Sequence, residues 1–167
     1  MTWWTGAWEA GERLTAMLWA AGLVWFLLCS VVLARTDLRE HRLPNRWTGR
    51  LALGGVVAMG GGAVLGGLWS VVASCLLGGL GYALAMLALH VLTRGGLGLG
   101  DVKLAAGLGL YCGVAGLAAV LAAAVLAVLL GGVVAVVLVL ARRADRHTAL
   151  PFGPAMVAGA LGVLLLA

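Results

Sequence analysis

The sequence predicts an all-α polytopic membrane protein of six transmembrane helices, with the N-terminus and the C-terminus outside. Three observations predict it. The chain of 167 residues is 63% apolar and only 10% charged, whereas a soluble domain carries about 25% charge. Two long stretches, 51–93 and 104–141, contain no Lys, Arg, Asp or Glu. Of the 11 basic residues, all but Arg13 fall in three short segments between apolar runs.

The elements follow in order. The leading segment carries Glu9 and Glu12 against Arg13, and the apolar run Leu14–Ala34 follows it. A cleaved signal has a basic start and an apolar stretch of about 7–15 residues, so this run is expected to be a retained span. Residues 51–93 would be about 65 Å long as one helix at 1.5 Å per residue. The hydrocarbon core is about 30 Å thick, so this stretch must cross twice. Its natural turn is Gly66-Gly67-Leu68-Trp69-Ser70, where glycines break the helix and a tryptophan suits the headgroup level. Residues 104–141 would give roughly 57 Å and form a second hairpin, turning near Tyr111-Cys112-Gly113-Val114-Ala115-Gly116. The run Ala149–Ala167 is just long enough for a last crossing. Residues 1–167 are thus expected to form one membrane-embedded domain.

Pairs of spans separate Arg35–Arg50, Arg94–Lys103 and Arg142–His147, so all three segments must share a side. Because they hold the basic residues, that side is cytoplasmic. The cell membrane is the expected location. Gly62/Gly66 and Gly109/Gly113 follow the small-xxx-small spacing that lets helices approach closely where lipid supplies no hydrophobic drive.

Several function classes are excluded. The net charge of +5 is accounted for by orientation, so no nucleic-acid partner is expected. Cys29, Cys75 and Cys112 each stand alone in apolar sequence. This supports neither a zinc site nor a disulfide framework. Gly96-Leu97-Gly98-Leu99-Gly100 follows no predicted strand and is not a nucleotide fingerprint.

Two carboxylates remain as candidates for chemistry. Glu40 and Asp145 are flanked by arginines and read as solvated loop charges. Asp37, in Arg35-Thr36-Asp37-Leu38-Arg39, follows the first span, and Asp101, in Gly98-Leu99-Gly100-Asp101-Val102-Lys103, opens a later one. Carboxylates at a bilayer boundary are costly and usually mark function. Two on one side suggest a pair that shares a proton and activates water. The plainer alternative is that each caps a helix end. Gly98 and Gly100 permit close backbone approach beside the second carboxylate. Lys103 lies about 200° round a helix from Asp101, and snorkelling to the headgroups would explain it equally well. His41, His90 and His147 are scattered, and His90 is expected to be structural.

Asp37 with Pro44-Asn45 seven residues on, followed by Gly98-Leu99-Gly100-Asp101-Val102-Lys103-Leu104 and later by Leu150-Pro151-Phe152-Gly153-Pro154, resembles the type IV prepilin peptidase family. These are GxGD-type intramembrane aspartyl proteases, and the resemblance runs from about Val31 to Ala160. It implies an endopeptidase that removes a short basic leader from prepilins or pseudopilins at the cytoplasmic face, cutting before the apolar stalk and typically after a glycine. It implies Asp37 and Asp101 as the catalytic pair, with Gly98 and Gly100 shaping the second motif; Lys103 is a further site-shaping candidate, and a two-carboxylate mechanism needs no cofactor or metal. Pro44, Asn45, Pro151, Phe152, Gly153 and Pro154 are candidate substrate contacts, while the stretch Pro151–Pro154 reads more simply as a loop entering the last span. The chain resembles the short form, without the N-terminal cysteine-containing region that carries methyltransferase activity in longer members. The main rival is a small proton-coupled transporter with Asp37 and Asp101 as an ion relay. Carriers, however, usually hold the site at the midplane between internal repeats.

Overall fold

The structure is a computed structural model that describes residues 13–94, 96–141 and 151–166. Every regular element among them is helical. Six helical segments follow one another: α1 (Arg13–Glu40), α2 (Asn45–Leu65), α3 (Trp69–Leu92), α4 (Leu99–Cys112), α5 (Leu117–Leu140) and α6 (Gly153–Leu166).

Consecutive segments pair as antiparallel hairpins, and specific contacts fix each register. Along α1, Thr15 Oγ1 donates to the Gly62 carbonyl at 3.1 Å, Trp19 Nε1 to Met59 at 3.2 Å and Trp25 Nε1 to Arg50 at 3.0 Å. These donors climb α1 as their acceptors descend α2. The middle of α2, Gly55–Gly60, is wound as a π-helix, an irregularity that shifts the helix's later residues round its axis. The Trp19 bond falls within this segment and the Thr15 bond just beyond it.

α3 and α4 pack through glycines. A methyl on Gly109 would lie 2.3 Å from the Gly78 carbonyl oxygen, and one on Gly113 would lie 2.5 Å from Cys75 Cα. In α5 and α6, Gly159 abuts the Ala123–Ala127 backbone while Phe152 packs over Gly131. The small-residue spacing at Gly109/Gly113 therefore does what the sequence implies. Gly62 meets the Trp19 indole instead of another backbone. Both expected turns are present, and each places a glycine in the left-handed region, Gly67 at φ 67° and Gly116 at φ 100°.

α1, α2, α3 and α5 are each long and apolar enough to cross a membrane. α4 and α6 are 14 residues each, about 21 Å at 1.5 Å per residue. This is shorter than the hydrocarbon core. For α4 the reason is its place: Leu104, Ala105, Leu108, Tyr111 and Cys112 are buried, and α4 packs against α2, α3 and α6. The lipid-facing side is broad and apolar, with Leu121, Val125, Leu129, Val133 and Val136 exposed along α5.

The charged stretch Arg35–Glu40 departs from expectation. It belongs to the segment Arg35–Arg50, expected to be a loop, but α1 continues through Glu40, α2 begins at Asn45, and only residues 41–44 separate them. Arg and Glu are good helix formers, so a helix leaving the apolar layer has no reason to stop there. The segment 142–147, with Arg142, Arg143, Asp145, Arg146 and His147, lies outside the described residues.

Candidate active site

α1 buries one stripe, Thr15, Trp19, Gly22, Phe26, Cys29/Ser30, Leu33 and Asp37. Steps of three and four keep a helix's side chains on one face. The phase that seats Phe26 and Leu33 in the core therefore also turns Asp37 inward, leaving it 5% exposed. Its position near the C-terminus of α1 is unfavourable for an anion, because that end of a helix is negative. The compensation comes from α6. The backbone N–H of Gly153, at the start of that helix, donates to Asp37 Oδ2 at 2.9 Å. A helix N-terminus offers free N–H groups and a positive dipole.

Asp101 lies in the first turn of α4 and is 9% exposed. The Gly98 N–H donates to its Oδ2 at 3.2 Å, and its own N–H donates back to the Gly98 carbonyl at 3.1 Å. The helix-cap alternative thus holds in part. Asp101 closes the start of its own helix, whereas Asp37 caps a helix 116 residues away. In both carboxylates the bonded oxygen is Oδ2. Among the described residues Oδ1 has no partner in either.

Asp37 and Asp101 line a single cavity of about 340 Å³ with His41, Arg42, Leu43, Asn45, Gly98, Leu99, Gly100 and Lys103. Lys103 does more than snorkel: its Nζ donates to Asn45 Oδ1 at 2.8 Å, joining the start of α4 to the start of α2 across the rim. The glycines fit closely. A methyl on Gly98 would lie 3.3 Å from Asp101 Oδ2, one on Gly100 3.1 Å from Leu43 Cβ, and one on Gly153 2.7 Å from Asp37 Oδ2. His90, on α3, hydrogen-bonds through Nδ1 to the Leu97 carbonyl and so pins the segment that presents Gly98.

The remaining residues singled out from the sequence have other places. Pro44 precedes α2, and its carbonyl accepts the N–H groups of Trp47 and Thr48. Pro151, Phe152 and Pro154 line a separate apolar cavity with Leu38, Gly131 and Val134. Pro154 sits in the first turn of α6, where a missing N–H costs nothing. Among the described residues of that motif, Gly153 alone hydrogen-bonds to either carboxylate. The sequence reading missed His41, Arg42 and Leu43 as lining residues, although their place between Asp37 and Pro44-Asn45 was a signal. Cys29, Cys75 and Cys112 are free and buried, in the core away from this cavity.

Two backbone-anchored carboxylates thus share one cavity in a helical protein with four helices long and apolar enough to cross a membrane. Residues 21–140 match the family model described as the type IV leader peptidase family. The chain belongs to that family and is a peptidase by membership. No curated protein and no solved structure gives a significant match.

Proposed function

We propose that this chain is an aspartic endopeptidase that cuts the short basic leader from type IV prepilins or pseudopilins at the cytoplasmic face of the cell membrane. The observation that carries the reading is the shared cavity. Two carboxylates from distant parts of the chain face it, each held by a backbone N–H through one oxygen.

Two carboxylates held close do not both ionise easily, so the pair retains one proton. The ionised member takes a proton from water as the water oxygen bonds to the scissile carbonyl carbon. The protonated member gives its proton to the carbonyl oxygen. When the tetrahedral intermediate collapses, the C–N bond breaks, the departing amine takes a proton from the dyad, and a hydroxyl of the intermediate returns one to it as the new carbonyl forms, which restores the singly protonated pair. The cycle needs neither metal nor thiol.

In this reading all six segments lie within the bilayer as one domain, with both termini outside, and α4 and α6 cross as short inner elements shielded by the longer ones. Arg42 and Lys103 line the cavity mouth, so a basic leader gains nothing from bulk charge. The substrate's apolar stalk, lying among the helices, sets the register instead. The test is incubation of the detergent-solubilised protein with a prepilin, followed by mass measurement of the product. A product shortened by the leader supports the reading. An intact prepilin, with proton-coupled uptake in proteoliposomes, would replace it with the transporter.

A further inference from the structure

Leu43 is placed where the two halves of the site meet. It belongs to the four-residue link 41–44 between α1 and α2, and it is half-buried. Its Cβ lies 3.1 Å from where a methyl on Gly100 would stand, and its Cδ2 lies 3.3 Å from the corresponding point on Gly153. Gly100 precedes Asp101, and Gly153 holds Asp37 through its N–H. The Leu43 side chain therefore stands between the two carboxylate anchors and walls the cavity they share. The other side chains on that cavity, apart from Leu99, are polar or charged.

We propose that Leu43 is the specificity-determining residue of this site, limiting the residue just before the scissile bond to one with little or no side chain. The inference rests on the peptidase reading above. On the peptidase reading, a peptide whose scissile carbonyl sits between Asp37 and Asp101 lies against Leu43, which walls the cavity they share. On the same reading, residues 41–44, which connect the ends of α1 and α2, lie at the cytoplasmic end of the bundle, where the leader side of the substrate enters. The stalk side lies toward the apolar interior. Leu43 thus meets the last leader residue. A branched apolar wall rejects extra carbon by steric overlap, and one methylene in such a pocket changes selectivity by about 10- to 200-fold. Leu43 has no titratable or hydrogen-bonding group, so its effect is on fit and not on proton transfer.

The experiment compares wild type, Leu43→Ala, Leu43→Val and Leu43→Phe on one prepilin carrying Gly, Ala or Val before the cut, at matched protein levels in the membrane. Wild type should cut the Gly substrate and discriminate against Ala and Val. Leu43→Ala should raise the Ala-to-Gly rate ratio at least tenfold, and Leu43→Val should raise it less. Leu43→Phe should slow even the Gly substrate. If Leu43→Ala fails to accumulate, the opposite trends of the Val and Phe variants carry the same decision. An unchanged ratio in the Ala and Val variants, or equal loss on all substrates in both, would overturn the assignment and make Leu43 a spacer. If wild type leaves the Gly substrate uncut, the peptidase reading fails, a result distinct from an unchanged ratio.

Discussion

Replacing Gly153 by alanine perturbs the site by one methyl group whose position is known. That methyl would stand 2.7 Å from Asp37 Oδ2 and 3.3 Å from its Cγ. Ordinary van der Waals contact begins at 3.4 Å, so the carboxylate must retreat by roughly 0.7 Å. The retreat stretches the 2.9 Å bond from the Gly153 N–H and moves Asp37 relative to Asp101. Misplacing a reacting group by about 1 Å costs about a hundredfold. The expected loss in kcat is therefore roughly 10- to 100-fold, about 1.4–2.7 kcal/mol at 1.36 kcal/mol per tenfold. Folding should not suffer, because Gly153 lies at the start of α6 without a positive φ and alanine favours helix over glycine by about 1 kcal/mol. The assay is the rate of leader removal, with membrane accumulation measured in parallel. Gly162→Ala is the control, since a methyl there meets nothing within 4 Å. Wild-type cleavage by Gly153→Ala would refute the claim that this glycine seats Asp37.

Four further predictions follow from this account. Reporter fusions after Arg46 and Arg94 should read as cytoplasmic and those at Trp69 and Ala115 as external. A cytoplasmic signal at Trp69 would break the α2–α3 hairpin and with it the shared face of the carboxylates. Replacing Cys29, Cys75 and Cys112 together with alanine should lower thermal stability more than turnover, because all three are buried and truncation leaves cavities. EDTA should leave turnover intact, and zinc-reversible inhibition would point to a metalloprotease. Gly109→Ala should sharply reduce accumulation, since its methyl would meet the Gly78 carbonyl at 2.3 Å and α3 and α4 would have to separate. Normal accumulation would contradict that close packing.

The hairpins were legible because physics leaves few alternatives. A charge-free stretch twice the thickness of the bilayer must turn, and Gly67 and Gly116 mark where. The common location of Asp37 and Asp101 was legible too, through the distribution of arginines. Other features carried no local signal. The charges at Arg35–Glu40 look like a loop, but helix propensity carries α1 through them, and this is what turns Asp37 inward. The bond from Gly153 to Asp37 joins residues 116 apart, a contact no window of sequence records. The prolines beside Gly153 point to a different cavity, since the first turn of α6 splits its side chains between two faces. Leu43 looks like an ordinary apolar residue before a proline. Its place in the site comes from Gly100 and Gly153, which leave room for it.

The central claim is that Asp37 and Asp101 act as one unit. The most direct measurement is the rate of leader cleavage by Asp37→Asn, Asp101→Asn and the double variant, each normalised to protein in the membrane. Residues that act together give non-additive losses. The account predicts that each single variant loses cleavage, that all three accumulate, and that the double variant is no worse than either single one. Normal processing by either single variant would contradict it.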